Sequence, residues 1–355
     1  MNIGQRRFLD FLGMPDVRFV IPAYQRIYTW SESQCEELWL DILRAGRFDR
    51  SHFLGTILYS REMGSPDECL AIIDGQQRMT SISLILLALA RYVQKHMYDL
   101  SAASILENRY LRTRGKDGEE APKLVPSHYD VGPYIAALEG REPAARTAIN
   151  RNLAYFEAKM DEKGFELEEL EQGLRNLAVI TVEVEDPGMA QSIFEGINSK
   201  GVPLNVADMI RNYLLLAESH DGQARLYEEY WKPSQEMFAP DPGSLRLNGA
   251  IKSWISIRLK GARILSADQV YSSFKKYVED QYRGDKEPVL RELRGFCLMW
   301  AENYRYHGTK KYKSGSDWAE IGMPTLTAGY KLKKADNEEY AERVRKELRE
   351  VDSRW

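Results

Sequence analysis

Residues 74–78 of this 355-residue chain read Asp-Gly-Gln-Gln-Arg, and they stand where an apolar run, Leu70 to Ile73, gives way to a long apolar-periodic segment. At a strand-to-helix handover these side chains suit phosphate chemistry. Gly75 lets the backbone take a positive φ or come close to a ligand, and the free N–H groups and dipole of a helix start favour an anion. Arg78 can grip a phosphate with two bonds, Asp74 can hold Mg²⁺ or a ribose hydroxyl, and Gln76 and Gln77 can orient water or read a base edge. A plainer reading stays open: Asp74 N-caps the helix and Arg78, a first-turn arginine outside the core, pairs with a surface carboxylate.

Two further stretches can converge on that place. Tyr24, Gln25 and Arg26 follow Pro22 in a loop after a short apolar strand, where they can hold a nucleotide or be a packed tyrosine and a surface arginine. Asn198, Lys200, Gly201 and Asp208 surround the segment SKGVPLN, a glycine-containing loop before a helix that offers N–H groups and a lysine, or an ordinary helix connection capped by Asn205. Tyr28 and Trp30 have the rings to stack on a DNA base, although Trp30 just ahead of an N-cap also suits a hydrophobic staple. Other chemistries are excluded by motif: there is no GxxxxGK[ST], no strand-linked GxGxxG, no HExxH, and none of the five histidines stands at metal-ligand or nuclease spacing.

The elements that must position these residues are legible in outline. Val17 to Ile21 reads as a strand ended by Pro22. Ser31 with Gln34 forms a capping box for a helix bearing Cys35, Leu38, Trp39, Ile42 and Leu43 before Gly46. Phe53 to Tyr59 and Leu70 to Ile73 predict a hairpin turning through Gly64, Ser65 and Pro66. The helix after DGQQR should run to about Met97, carrying Met79, Ile82, Ile85, Leu86, Leu89 and Val93 and apolar nearly all round, hence central to a core. Arg112 to Lys123, charged and aperiodic, predicts a surface loop, and Ala178 to Val184 a strand, with a helix after Pro187 through Ile197. From Tyr227 only helical periods occur, one of them capped by Ser266 and Gln269 and running through Val278.

Composition sets the class. With 43% hydrophobic and 29% charged residues the chain can bury a sizeable core, and its length suggests two domains. No apolar run reaches the roughly 18 residues of a membrane span and the first residues lack a signal-peptide pattern, so a cytoplasmic location without membrane partners is expected. Cys35, Cys69 and Cys297 lack ligand spacing and read as core thiols. A net charge of −4 makes any DNA contact local; His307 to Lys313 is the best basic cluster, and such a run is more often a solvated loop. The amphipathic segment with Tyr340, Val344, Leu348 and Val351 stops at Trp355 without a closing signal, which suggests a cut inside a longer protein.

The segments VIPAYQRIYTW, HFLGTIL, IIDGQQRMTSISLILLAL and FEGINSKGVPLNVADMIRNYLL, in this order, resemble the DGQQR-motif N-terminal domain of GmrSD-type restriction enzymes and SspE-like phage-defence proteins. The resemblance covers roughly the first 215 residues. It implies an α+β fold, a ParB/sulfiredoxin-like small mixed sheet with helices over residues 1–220; the helical periods that follow predict a mainly α-helical region over 221–355. It implies that Asp74, Gly75, Gln76, Gln77 and Arg78 bind and hydrolyse an NTP with Mg²⁺, Tyr24, Gln25 and Arg26 lying nearby. The implied partners are double-stranded DNA carrying modifications such as glucosylated hydroxymethylcytosine or phosphorothioate and a C-terminal or separate HNH-type nuclease domain that this chain lacks; whether the chain pairs as a homodimer stays open.

Overall fold

The computed structural model describes residues 2–22, 25–61, 68–97, 99–115, 118–141, 147–185, 205–215, 218, 220–238, 244–259 and 266–307. The chain forms two compact units, residues 1–196 and 197–355.

The first unit is α+β. Its elements are β1 (Asn2–Arg7), α1 (Phe8–Leu12), β2 (Val17–Val20), α2 (Glu32–Arg47), β3 (His52–Arg61), β4 (Glu68–Asp74), α3 (Gln76–Tyr92), α4 (Leu100–Leu106), β5 (Arg112–Arg114), β6 (Glu120–Pro122), β7 (Leu124–Val125), α5 (His128–Leu138), α6 (Ala148–Met160), α7 (Leu167–Arg175) and β8 (Leu177–Glu183). Six strands form one mixed sheet in the order β1-β8-β3-β4-β2-β7. β1 runs antiparallel to β8 and β3 antiparallel to β4, while β3–β8, β4–β2 and β2–β7 are parallel pairs.

The predicted β3–β4 hairpin is present; its turn residues Gly64, Ser65 and Pro66 lie outside the described residues. The edge strand β1 was not expected, because NIGQRR has neither β-branched alternation nor an apolar face of its own. It forms because β8 offers it a complete antiparallel ladder from Asn2 opposite Glu183 to Arg7 opposite Ala178.

The helix after DGQQR is the axis of the core. Every residue from Met79 to Ala90 is buried, and five residues in wider, π-type turns (Val93–Met97) extend the helix to the expected end. α2 starts with the predicted capping box: Ser31 N–H donates to Gln34 Oε1 at 2.9 Å. α2 then lies against α7 so closely that a Cβ on Gly46 would run into the Glu169 carbonyl and one on Gly173 into the Ile42 carbonyl. The helix spacing is therefore set by two glycines. All three cysteines are buried and free, as expected.

One expectation is corrected. Arg112 to Lys123 is not a plain surface loop: it folds into the β5–β6 hairpin, and Lys123 is 2% exposed. The reason lies in the backbone of Lys123, which donates to Leu111 O and accepts from Phe19 N–H, both at 2.8 Å, and so ties the hairpin base to β2.

In the second unit the described elements are all helical: α8 (Val206–Leu215), α9 (His220–Leu226), α10 (Lys232–Glu236), α11 (Leu245–Arg258), α12 (Ala267–Tyr282) and α13 (Glu287–His307), with π-type turns at Tyr227–Trp231. Asn205 caps α8 as predicted, its Oδ1 accepting the Asp208 N–H at 2.9 Å, and the Ser266/Gln269 box starts α12. Trp254 and Phe274, 5.4 Å apart between ring centres, anchor the core of this unit. The segment after Pro187 through Ile197, the basic cluster after His307 and the final amphipathic segment lie outside the described residues.

Candidate functional site

Asp74 is the last residue of β4, and α3 begins two residues later. Gly75 between them has φ +97°, in the left-handed region, and a Cβ there would stand 3.1 Å from Ile57 Cγ1, against β3. The left-handed φ calls for glycine, and the tight space against Ile57 adds to the cost of any side chain there. Gly75, not Asp74, is the N-cap residue. No side chain caps α3 and its first turn holds no acid, in contrast to the boxes at α2 and α12. A long helix thus points a largely buried, positively polarised N-terminus at a half-buried rim formed by Arg26, Asp74 and Arg78.

Arg78 does not stand outside the core. Its guanidinium donates to the carbonyls of Leu54 and, at 2.9 Å, Thr56 on β3, and Nη2 lies 3.4 Å from Asp74 Oδ2, with the side chain 24% exposed. The close approach is possible because residue 55 is a glycine with φ +101°. Asp74 accepts the Gly75 N–H and faces Arg78 and Arg26, yet burial outweighs these charges and pushes its carboxyl above the ordinary range. Burial likewise lowers Arg78 against the pull of Asp74, so both partners report that desolvation exceeds their mutual attraction.

The two glutamines are 6% exposed each and are engaged with protein. Gln77 bridges the loop after β2 with both ends of its amide: Nε2 donates to Ile27 O at 3.0 Å and Oε1 accepts the Thr29 N–H at 2.9 Å. Gln76 Nε2 donates to Gln25 Oε1 at 3.2 Å, and Gln25 Nε2 donates to Ile73 O at 2.8 Å. The motif therefore stitches three segments, β3, β4 and the loop after β2, onto the start of α3. Neither glutamine is poised in this arrangement to orient water or read a base edge.

Tyr28 is also corrected. It is 4% exposed; its hydroxyl pairs with Ser81 Oγ at 2.7 Å and accepts from Asn152 Nδ2 at 3.0 Å, while its N–H donates to Asp130 Oδ2 at 2.6 Å. A ring held in the core cannot stack on DNA. Trp30 is half-buried against the core, and its carbonyl accepts from Asn152 Nδ2 at 2.8 Å.

The structure thus brings together Gln25, Arg26, Asp74, Gly75, Gln76, Gln77 and Arg78. Tyr24, Asn198, Lys200 and Gly201 lie outside the described residues, and Asp208 is engaged at the start of α8 by Asn205 and, at 2.9 Å, Arg211. Sequence reasoning missed Gly55, Asp130 and Asn152. Only Gly55 carried a signal, a glycine inside the strand pattern HFLGTIL, which marks a close approach of another group.

Among the described residues no group of three His, Cys, Asp or Glu side chains could hold a metal. Asp74 supplies one carboxylate beside two arginines. That donor set does not make a resident metal centre. No helix among the described residues is long and apolar enough to cross a membrane.

A mixed sheet feeding a left-handed glycine and a buried helix through an Asp-Gly-Gln-Gln-Arg junction defines an α+β domain with an anion-compatible helix start. The family comparison is specific: residues 8–215, more than half of the chain, match the family described as GmrSD restriction endonuclease, N-terminal domain, and the chain belongs to that family. Comparison with curated proteins gave no match.

Proposed function

We propose that this chain is the nucleotide-binding and hydrolysing sensor half of a restriction system that acts on modified phage or foreign DNA, with cutting carried out by an HNH-type nuclease domain outside this chain. The supporting observation is the start of α3: a long helix with no side-chain cap and no first-turn acid, reached through left-handed Gly75, inside a domain of a restriction endonuclease family. Phosphate oxygens would take the N–H groups of residues 76–78, and Arg26 would add charge at the rim. Asp74 would hold the Mg²⁺ carried by the nucleotide, which would offset charge on the phosphates. Its carboxylate, 15% exposed at the strand end, stands beside Arg78 and Arg26.

A second reading follows from Gln76, Gln77 and Arg78 being engaged with neighbouring segments. If a nucleotide displaced these bonds, binding would release the loop at residues 25–29 and act as a switch without turnover. Phosphate release with each of the four NTPs and Mg²⁺, with and without modified DNA, separates the two, run beside Asp74→Asn. Turnover that Asp74→Asn abolishes supports the hydrolytic reading, and its stimulation by modified DNA places the sensor here. Nucleotide-induced stabilisation without phosphate release supports the switch; neither effect overturns both.

A further inference from the structure

A cavity of about 410 Å³ opens at the other end of the sheet, lined by Gly13, Asp16, Arg109, Arg112, Arg114 and Lys123 among others. Val17, next to Asp16, pairs with Glu68 at the start of β4, whereas Asp74 ends that strand. Six residue steps at about 3.3 Å put the two places about 20 Å apart. The cavity therefore owes nothing to the DGQQR junction.

Its lining is unusual for a surface hairpin. Four cationic side chains meet there against two carboxylates, Asp16 and Glu120. Lys123 forms the buried floor, its backbone bonded on both sides and its ammonium donating to Met14 O. Burial lowers the Lys123 pKa, and Asp16 opposes that only in part. Arg112 on the wall reaches Glu107 at 3.7 Å, Glu120 at 3.5 Å and Leu138 O at 3.3 Å, so its pairs are long. Arg109 and Arg114 stand exposed at the rim, the former with its guanidinium 5.3 Å from the Tyr110 ring centre. A buried lysine among three arginines costs stability that an apolar residue would not, and an anion between them would offset it. Arginine forks match the oxygens of a phosphate, and the volume lies in the range of small-molecule pockets.

We propose that this cavity is a second ligand site, for a small phosphorylated molecule of up to mononucleotide size, separate from the site at the start of α3. The full chain is titrated calorimetrically, separately, with inorganic pyrophosphate and with ribose 5-phosphate, and again as the Arg109→Ala/Arg114→Ala double variant. Both substitutions are at exposed positions. Saturable binding of either probe is expected, weakened at least about tenfold in the double variant, while NTP-dependent phosphate release or stabilisation stays at the wild-type level. Lys123→Met should abolish binding, with circular dichroism confirming the fold. Absence of binding, or affinity unchanged in the double variant, overturns the proposal. So does a result in which only a short DNA duplex, and neither small probe, responds to the substitutions.

Discussion

Gly55 and Arg78 occupy the same place from two sides: a Cβ on Gly55 would collide with Arg78 Nη1, the atom that donates to the Leu54 carbonyl. The motif's arginine is thus seated in a notch that only glycine can leave open. Gly55→Ala should destabilise the first unit by about 1–3 kcal/mol, from the φ of +101° and the displaced guanidinium together. In a double-mutant cycle with Arg78→Ala the two losses should be clearly less than additive, as chemical denaturation would show. Simple additivity would mean that the notch does not hold Arg78.

Gln77 makes a finer demand, since its bridge needs one donor and one acceptor. Gln77→Glu keeps size and acceptor but leaves the Ile27 carbonyl facing a carboxylate, and should cost about 1–3 kcal/mol. Hydrogen exchange gives the local test. Amide protection at Thr29 should fall more than protection in the middle of α3, and equal loss at both would count against a local bridge.

For Asp74 the sign of the pH effect is fixed by its raised carboxyl. The native state binds this proton more tightly than the unfolded chain, so the group's contribution is fully present below the unfolded pKa. It is lost as pH rises through the folded value. Asp74→Asn removes that slope: relative to wild type the variant should gain stability on going from acidic to neutral pH while losing turnover. A variant that is progressively less stable than wild type as pH rises would show that Arg78 and Arg26 dominate the carboxylate.

Two glycines should respond differently to an added methyl, one at the α2–α7 interface and one outside it. Gly173→Ala drives a methyl into the Ile42 carbonyl and should cost about 2 kcal/mol or more. Gly132, inside α5, has nothing but its chain neighbours within 4 Å of its Cβ position, so Gly132→Ala meets only the restriction that Pro133 places on the residue before it and should change stability by about 1 kcal/mol or less. Thermal unfolding of the two variants side by side decides it.

What the sequence determined by itself is whatever a short window encodes. The boxes at Ser31 and Ser266, the cap at Asn205, the β3–β4 hairpin and the all-round apolar α3 were legible because caps and periodicity act within a few residues. The strand-to-helix junction at DGQQR was legible for the same reason, and so was the need for glycine at 75. What those side chains do was decided by tertiary structure. Gln77 meets a loop 50 positions away, Arg78 meets carbonyls 24 and 22 positions away, and Tyr28 meets Asn152 across 124. Those partners are delivered by the strand order β3-β4-β2 and by α6, and no local pattern specifies them. Edge strand β1 and buried Lys123 escaped for a related reason: each exists because a distant segment supplies the backbone bonds that its own composition does not announce.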